Sequence, residues 1–522
     1  MITNLLHIFR LLRAAYVMAR EGVFSHIDPS LLPINARFAL SCAKLIARKN
    51  AAANKHRLST AMARLGPSYV KLGQFLATRS DIVGAEVVHD LEALQDRMAP
   101  FSQEQAIAII ERTFNCKIDD LFENFGPPVA AASIAQVHKA KLKADHGHHW
   151  VAVKVLRPNI EKKFTRDLQD MFFAAQYAEK NFAEARRLKL IDVVETLARS
   201  VRMEMDFRLE AAAASEFAEN TKDDPDFRVP KIDWDHTGRE VLMLEWVDGI
   251  ALSDIVSLKD KGFDLNRLGQ IVIQSFLLHA VRDGFFHADM HQGNLLADKD
   301  GKLVAVDFGI MGRLGFKEQR FLAEILYGFI TRDYHHVAQV HFDAGYVPSH
   351  YRVDDFTQAI RAIGEPIHSR TADQISMAKL LTLLFEITAL FDMRTRTELV
   401  LLQKTMVVVE GVARSLDPKI NIWSTAEPIV RRWVEESIGP RGKIRDAERG
   451  LMTIGNMLSQ APELISRSTA VLAKIEDALN HGVMLSSSSL DGIGQAEAQR
   501  SRWTSLALWL MLIVLTYAVF RN

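Results

Sequence analysis

Cysteine is scarce in this chain of 522 residues. Only Cys42 and Cys116 occur, and their spacing suits neither a metal knuckle nor a disulfide framework, so a reducing compartment and two buried, inert thiols are expected. Proline (15) and glycine (27) are also sparse, which excludes a disordered, low-complexity chain and leaves an ordered, helix-rich one. Neither sign of charge is in excess. Lys plus Arg and Asp plus Glu number 64 each, so no long-range field draws in a polyphosphate backbone, and nucleic acid is not an expected partner. An uninterrupted apolar stretch is missing from the opening segment MITNLLHIFRLLRAAYVMAR, which Arg10, Arg13 and Arg20 break. A secretory signal needs such a stretch and a small-residue cleavage site. As a helix, this segment gathers its arginines on one face, suited either to anionic lipid or to docking on its own domain.

The length exceeds what one hydrophobic core organises, so two or three packed units with appendages are expected. After the opening region (1–55), residues 56–115 read as helices broken at Gly66-Pro67 and near Pro100. Short alternating runs follow, SIAQVHKAKL from Ser133 and WVAVKVLRP from Trp150, which predict strands. Helical patterns cover 161–220, VPKIDW and REVLMLEWV read as strands, and from 252 onward the pattern is almost wholly helical. The sequence therefore predicts an α+β chain, with a small strand-bearing unit (116–248) before a larger helical one (249–435). A helical tail and linker span 436–502. One long apolar run lies near the C-terminus, TSLALWLMLIVLTYAVF, uncharged through residues 504–520 and flanked by Arg500, Arg502, Trp503 and Arg521. At about 1.5 Å per residue it just spans a hydrocarbon core, which predicts a transmembrane helix at 503–521. The preceding arginines place the bulk of the chain in the cytosol.

The chemistry concentrates in FFHADMHQGNLL and KLVAVDFG. Phosphoryl transfer needs metal ions held at the phosphates and a carboxylate near the nucleophile. Asp289 and Asn294 stand five apart, the spacing of a kinase catalytic loop, and a predicted apolar strand delivers Asp307 into a DFG turn. Each motif alone is weak; their order and the strand before the second make the pair specific. Upstream, VAVK places Lys154 on a strand, where a kinase lysine meets the α and β phosphates. Its partner glutamate is open between Glu195 and Glu204. The Gly-rich loop is missing: Ala130, Ala131, Ala132 and Ser133 stand there instead, and alanine restricts positive φ and close backbone approach to phosphate.

The set KLGQ (Lys71 to Gln74), AAAS, VAVK, EMD (Glu204 to Asp206), HADMHQGN and DFG resembles the atypical kinase-like family of ubiquinone biosynthesis. The stretch LVLLQKTMVVVEGVARSLDP from Leu399 and the terminal apolar segment are similar to its bacterial UbiB branch. One departure is the alanine run Ala211 to Ala214, where the family commonly carries asparagine. The resemblance implies a two-lobed kinase-like fold whose N-terminal extension, carrying Lys71 and Gln74, packs over the cleft and approaches Glu204 and Asp206. It implies ATP and Mg²⁺ as cofactors, with Lys154, Glu245 and the alanine loop at the nucleotide, Asn294 and Asp307 at the metal, and Asp289 as catalytic carboxylate. It further implies isoprenoid quinone precursors, other ubiquinone biosynthesis enzymes and the inner membrane as partners. A non-catalytic scaffold, a small-molecule or lipid kinase and an ordinary protein kinase are the rival functions.

Overall fold

The computed structural model describes residues 2–26, 34–48, 56–77, 83–91, 94, 98–181, 183–368, 387, 390–393 and 397–437. The chain divides into two compact units, Leu58–Glu435 and the flanking Met1–Arg57 with Glu436–Asn522. In the flanking unit α1 (Ile2–Arg20) packs on α2 (Ile34–Ile46), with Ala14, Ala19 and Leu40 buried. The expected linker and transmembrane helix lie outside the described residues. Among the described residues no helix is long and apolar enough to cross a membrane.

The large unit begins with the extension: α3 (Arg57–Leu65), α4 (Pro67–Leu76) and α5 (Ala85–Leu91). Gly66 at φ +106° lets the chain turn between α3 and α4, and Pro67 opens α4, where its missing N–H costs nothing. After α6 (Gln103–Phe114) and the short α7 (Ile118–Leu121), four antiparallel strands form the N-lobe sheet in the order β1 (Phe122–Ala131), β2 (Ala135–Leu142), β3 (Trp150–Leu156), β5 (Val241–Glu245). Strand alternation divides this sheet into two faces. Val151, Val153 and Val155, fully buried, meet Ile109 and Ile110 of α6 on one side. Ala152 and Lys154 share the other face with Leu242 and Leu244, against α8 (Ile160–Asn181) and α10 (Leu190–Glu204). Short α9 (Ala183–Leu188) joins those two helices.

The helical stretch expected over 161–220 is interrupted at Met205–Asp206. Helix α10 ends at Glu204, and α11 (Phe207–Asn220) starts with the Asp206 carboxylate capping the N–H of Arg208. Two runs differ from the sequence reading. Strand β1 carries proline and glycine in FENFGPPVAA, which mask its alternation, and its register shifts at Phe125–Pro128 and Pro128–Ala130 accommodate them. VPKIDW contributes a single bridge, Ile232 to Leu244, rather than a strand.

The C-lobe is helical as expected, with α12 (Ile255–Asp260), α13 (Leu265–Leu278), α14 (Phe316–Thr331), α15 (Tyr334–Asp343), α16 (Val353–His368), α17 (Thr397–Leu416) and α18 (Ile422–Ser437). It also holds small sheets, of which the sequence predicts only the strand before Asp307: β4 (Phe227–Arg228), β9 (Leu303–Ala305), β8 (Leu295–Asp298) and β6 (Gly249–Ala251) in that spatial order, and β10 (Met311–Arg313) paired with β7 (Phe285–His287). The other strands, two to four residues long, leave too little alternation to detect. Leu295, Ala297, Leu303 and Ala305, none exposed, root these strands in a core with Val272, Ile273 and Val409. The catalytic-loop and DFG segments are thereby fixed between strands. Cys116 is half-buried rather than buried, and burial beside Asp120 and Glu111 pushes its thiol pKa up, which disfavours the thiolate.

Candidate active site

Strand β3 aims Lys154 into the space between the lobes. Its ammonium donates to both carboxylate oxygens of Glu210, at 2.8 and 2.9 Å, lies 3.3 Å from Asp307 Oδ1, and stands 5.4 Å from the centre of the Phe207 ring. The partner is thus neither Glu195, which is exposed, nor Glu204. Both expected glutamates belong to α10, and the turn at Met205–Asp206 hands the task to α11. There Phe207 and Glu210, three apart, share a helical face. The legible signal was Asp206 as an N-cap starting a second helix. Burial works against the Lys154 charge, but the Asp307 and Glu210 carboxylates more than offset it and push its pKa above the ordinary lysine value. Burial pushes Glu210 up, an effect its contact with Lys154 opposes.

Asp307 follows β9 as expected. Burial disfavours its charge, yet the Lys154 ammonium and the Gly309 N–H, which donates to Oδ1 at 3.0 Å, hold it well below the usual carboxylate range. A Cβ at Gly309 would stand 3.3 Å from the same oxygen, so glycine keeps this turn tight. Phe308 N–H donates to Glu210, joining the DFG turn to the lysine pair.

The catalytic loop is built around His287, which the sequence reading passed over. Its Nε2 bonds the Asp307 carbonyl, and its Nδ1 accepts the Asp289 N–H at 3.1 Å. Those partners require the neutral Nε2–H tautomer. Burial lowers the His287 pKa in agreement. One ring thereby ties the catalytic loop to the DFG turn. Asn294 Nδ2 donates to the backbone oxygen and to Oδ2 of Asp289, at 3.1 and 3.3 Å. The Asp289 side chain remains 42% accessible and that of Asp307 40%. Among the described residues, Asn294 Oδ1 and Asp307 Oδ2 make no hydrogen bond. The two free oxygen donors, on neighbouring segments joined by the Val306 N–H to Asn294 O bond at 3.1 Å, fit a magnesium ion, which takes oxygen ligands and keeps waters.

Helix α17 braces this loop from behind. The buried Thr405 hydroxyl donates to Ala288 O at 3.0 Å, and Gln292 Nε2 donates to Ser415 Oγ at 2.7 Å. Both ends of the segment holding Asp289 are therefore tied to one helix. Nothing in LVLLQKTMVVVEGVARSLDP distinguishes Thr405 and Ser415 from ordinary helix positions.

The alanine loop closes β1 onto β2. Ala130 and Ala131 pair with Val137 and Gln136, Ala132 N–H donates to Ala135 O at 2.8 Å, and Ser133 is fully buried. Its carbonyls are held from outside: Met98 N–H reaches Ala131 O, and the Arg157 guanidinium donates to Ala132 O at 2.8 and 2.9 Å. This is a pinned hairpin, unlike a mobile glycine loop. Glu245 ends β5, but its carboxylate is engaged by Arg228 at 3.1 Å and by Lys231 N–H.

The extension lies against the N-lobe helices α8 and α10. Lys71 of α4 meets Glu204 at 2.6 Å, with both side chains close to nine-tenths buried, and Ser68 Oγ donates to Asp167 at 2.7 Å. The approach to Asp206 is corrected: that carboxylate turns to Arg208, at 2.7 Å, which lowers its pKa. Among the described residues the Gln74 amide makes no hydrogen bond. Ala211 and Ala214 of the alanine run are fully buried between α11 and its neighbours, where a larger side chain would push the helix and Glu210 away.

This arrangement has known counterparts. The ABC1 atypical kinase-like domain matches residues 93–341, and the UbiB helical domain matches residues 360–421, which include the bracing Thr405 and Ser415. The protein named "Probable protein kinase UbiB" of Marinobacter nauticus is 39% identical over 461 residues, covering 87% of this chain and 83% of that one. Its namesake in Azotobacter vinelandii is 35% identical over 529 residues, covering 99% and 98%. The solved complex of Rv3197 with erythromycin from Mycobacterium tuberculosis aligns over 75% of this chain and 98% of its own, with a TM-score of 0.48 and 23% identity. With the two domain matches and the two UbiB relatives, and with a lysine, catalytic loop and DFG turn assembled in kinase order, the chain belongs to the UbiB family of atypical kinase-like proteins.

Proposed function

We propose that this chain is an ATP-hydrolysing, kinase-like enzyme that supports ubiquinone biosynthesis at the cytosolic face of the inner membrane, handling lipid-like isoprenoid precursors for other pathway enzymes. The observation that carries the reading is Lys154 held between Glu210 and Asp307, with Asp289 and Asn294 across the cleft. Lys154 is positioned to hold the α and β phosphates of ATP. Asn294 Oδ1 and Asp307 Oδ2 would hold magnesium, which supplies positive charge to the phosphate oxygens. Asp289, oriented by Asn294 and by the His287 contact to its N–H, is placed to orient a water or acceptor hydroxyl and take its proton. The pinned alanine hairpin opposes an ordinary protein substrate, and the extension fastened by Lys71 and Glu204 is proposed to cover the approach such a substrate needs. The apolar segment 503–521 is the proposed anchor. A non-catalytic scaffold is disfavoured by the completeness of the charged set.

The test is ADP release by purified full-length protein, with and without anionic lipid vesicles and a phenolic isoprenoid analogue. Turnover that rises with the additions and is abolished by Asp289→Asn supports the reading. Intact Mg-ATP binding with no ADP release under any condition would favour the scaffold.

A further inference from the structure

Helix α1 presents an unusual face. Leu5, Leu6, Phe9 and Tyr16 are 47, 52, 68 and 37% exposed, and Arg13 and Arg20 are exposed beside them. Spacings of three and four residues place these side chains along one side of a helix about 28 Å long. Its other side is occupied, since Ala14 and Ala19 are buried. Arg13 and Arg20 make no ion pair among the described residues; Arg20 donates only to the Tyr16 hydroxyl, at 3.3 Å. A soluble surface rarely lines up large apolar side chains in this way.

The charge around this face is one-sided. Residues 1–57 contain nine Lys or Arg and two Asp or Glu, and none of the acidic residues precedes Glu21, although the whole chain is balanced. The neighbouring helix α2 repeats the combination: Leu45 is 79% exposed on a helix that also exposes Arg37 and Ser41, while Arg48, just past its end, pairs with the buried Glu21 at 3.6 Å. A protein partner could cover apolar side chains alone. An apolar stripe interleaved with arginine and free of carboxylates matches the headgroup boundary of an anionic bilayer, where apolar side chains enter the acyl edge and guanidiniums meet phosphate.

We infer that α1 lies in the plane of an anionic membrane surface, with Leu5, Leu6, Phe9 and Tyr16 inserted and Arg13 and Arg20 on lipid phosphates. This rests on the reading that the chain works at a membrane, and adds a second, composition-sensitive contact to the terminal anchor. Its strength depends on anionic lipid and on salt, whereas a spanning helix needs neither.

The test uses the full chain in nanodiscs of phosphatidylcholine with or without phosphatidylglycerol. In a Cys42→Ser, Cys116→Ser background, an environment-sensitive fluorophore is attached at Leu6→Cys and, separately, at Leu512→Cys in the proposed anchor. The expected result at position 6 is a blue shift and quenching by spin-labelled lipid only with phosphatidylglycerol, both lost in Arg13→Gln/Arg20→Gln and in high salt. Lipid quenching at position 512 in both compositions reports the anchor independently. A label at position 6 that is shielded but unquenched by lipid would mean that residues 438–522 or a second copy cover the face. Water exposure in both compositions would reject any docking there. Either outcome overturns the inference, and loss of quenching at position 512 as well would overturn the membrane reading with it.

Discussion

Two lysine–glutamate pairs, Lys154–Glu210 and Lys71–Glu204, are alike in distance and burial and differ in setting. Both have N···O separations below 3 Å and side chains about nine-tenths buried. Lys154 stands on a central strand and is shared with Asp307, the carboxylate proposed to take metal. Lys71 stands on α4, an element added outside the kinase-like body, and ties it to the end of α10. One pair fixes geometry within the cleft, and the other fastens the extension to the N-lobe helices. The stretch from Glu204 to Glu210 serves both, supplying the partner of Lys71, the Asp206 cap, the Phe207 ring and the partner of Lys154.

The largest expected effect comes from breaking the inner pair. Lys154→Met leaves Glu210 and Asp307 facing each other without a cation, and ADP release should fall by about 10²-fold or more. Glu210→Gln should keep the fold but loosen Lys154, so turnover falls with smaller loss of stability. Full turnover in Lys154→Met would remove the lysine from the mechanism. Breaking the outer pair should act on stability first. Lys71→Ala strands the Glu204 carboxylate and should cost about 3 kcal/mol in urea unfolding. Nucleotide binding should survive, and ³²P transfer from labelled ATP to the protein itself should rise. In a double-mutant cycle with Glu204→Ala, additive losses would show that the two residues do not interact.

A smaller effect is expected behind the catalytic loop. Thr405→Val removes the hydroxyl that holds Ala288 O and should cost about 1–2 kcal/mol. It should lower the rate of ADP release while leaving Mg-ATP affinity unchanged, because Lys154, Asn294 and Asp307 are untouched. Weakened affinity at an unchanged rate would contradict this. The mildest perturbation is pH. Burial lowers the pKa of His279 and His341 in the C-lobe and of His287 in the loop. A depressed histidine pKa means that the unfolded chain binds more protons, so stability is full above the unfolded value and is lost as pH falls below about 6.5. Each histidine that stays neutral contributes a slope of up to about 1.4 kcal/mol per pH unit. Urea midpoints should therefore be lower near pH 5.5 than near pH 7.5, and a higher midpoint at the acid end would contradict the burial of these rings.

Most of the inner site was legible because phosphoryl chemistry fixes residue types at fixed spacings. Lys154, Asp289, Asn294 and Asp307 converge as their motifs imply. Partnerships across elements were less legible. Glu210 was hidden by a helix break that only the Asp206 cap announces, and His287, Thr405 and Ser415 act through backbone carbonyls and N–H groups or neutral side chains that no charge pattern marks. The contact of the extension was half-legible: Lys71 and Glu204 meet, while Asp206 serves its own helix. Strand β1 was missed because its proline and glycine, needed for bulges, erase the alternation that announces a strand.

The separation of the two pairs is tested most directly by Mg-ATP-induced thermal stabilisation of three proteins: the unaltered chain, Lys71→Ala and Asp307→Asn. A ligand that binds only the folded state raises its melting temperature. The unaltered chain and Lys71→Ala should both be stabilised, the latter from a lower starting point, and Asp307→Asn should not respond, since an amide supplies no charge to the metal. Stabilisation of Asp307→Asn equal to that of the unaltered chain would contradict the account.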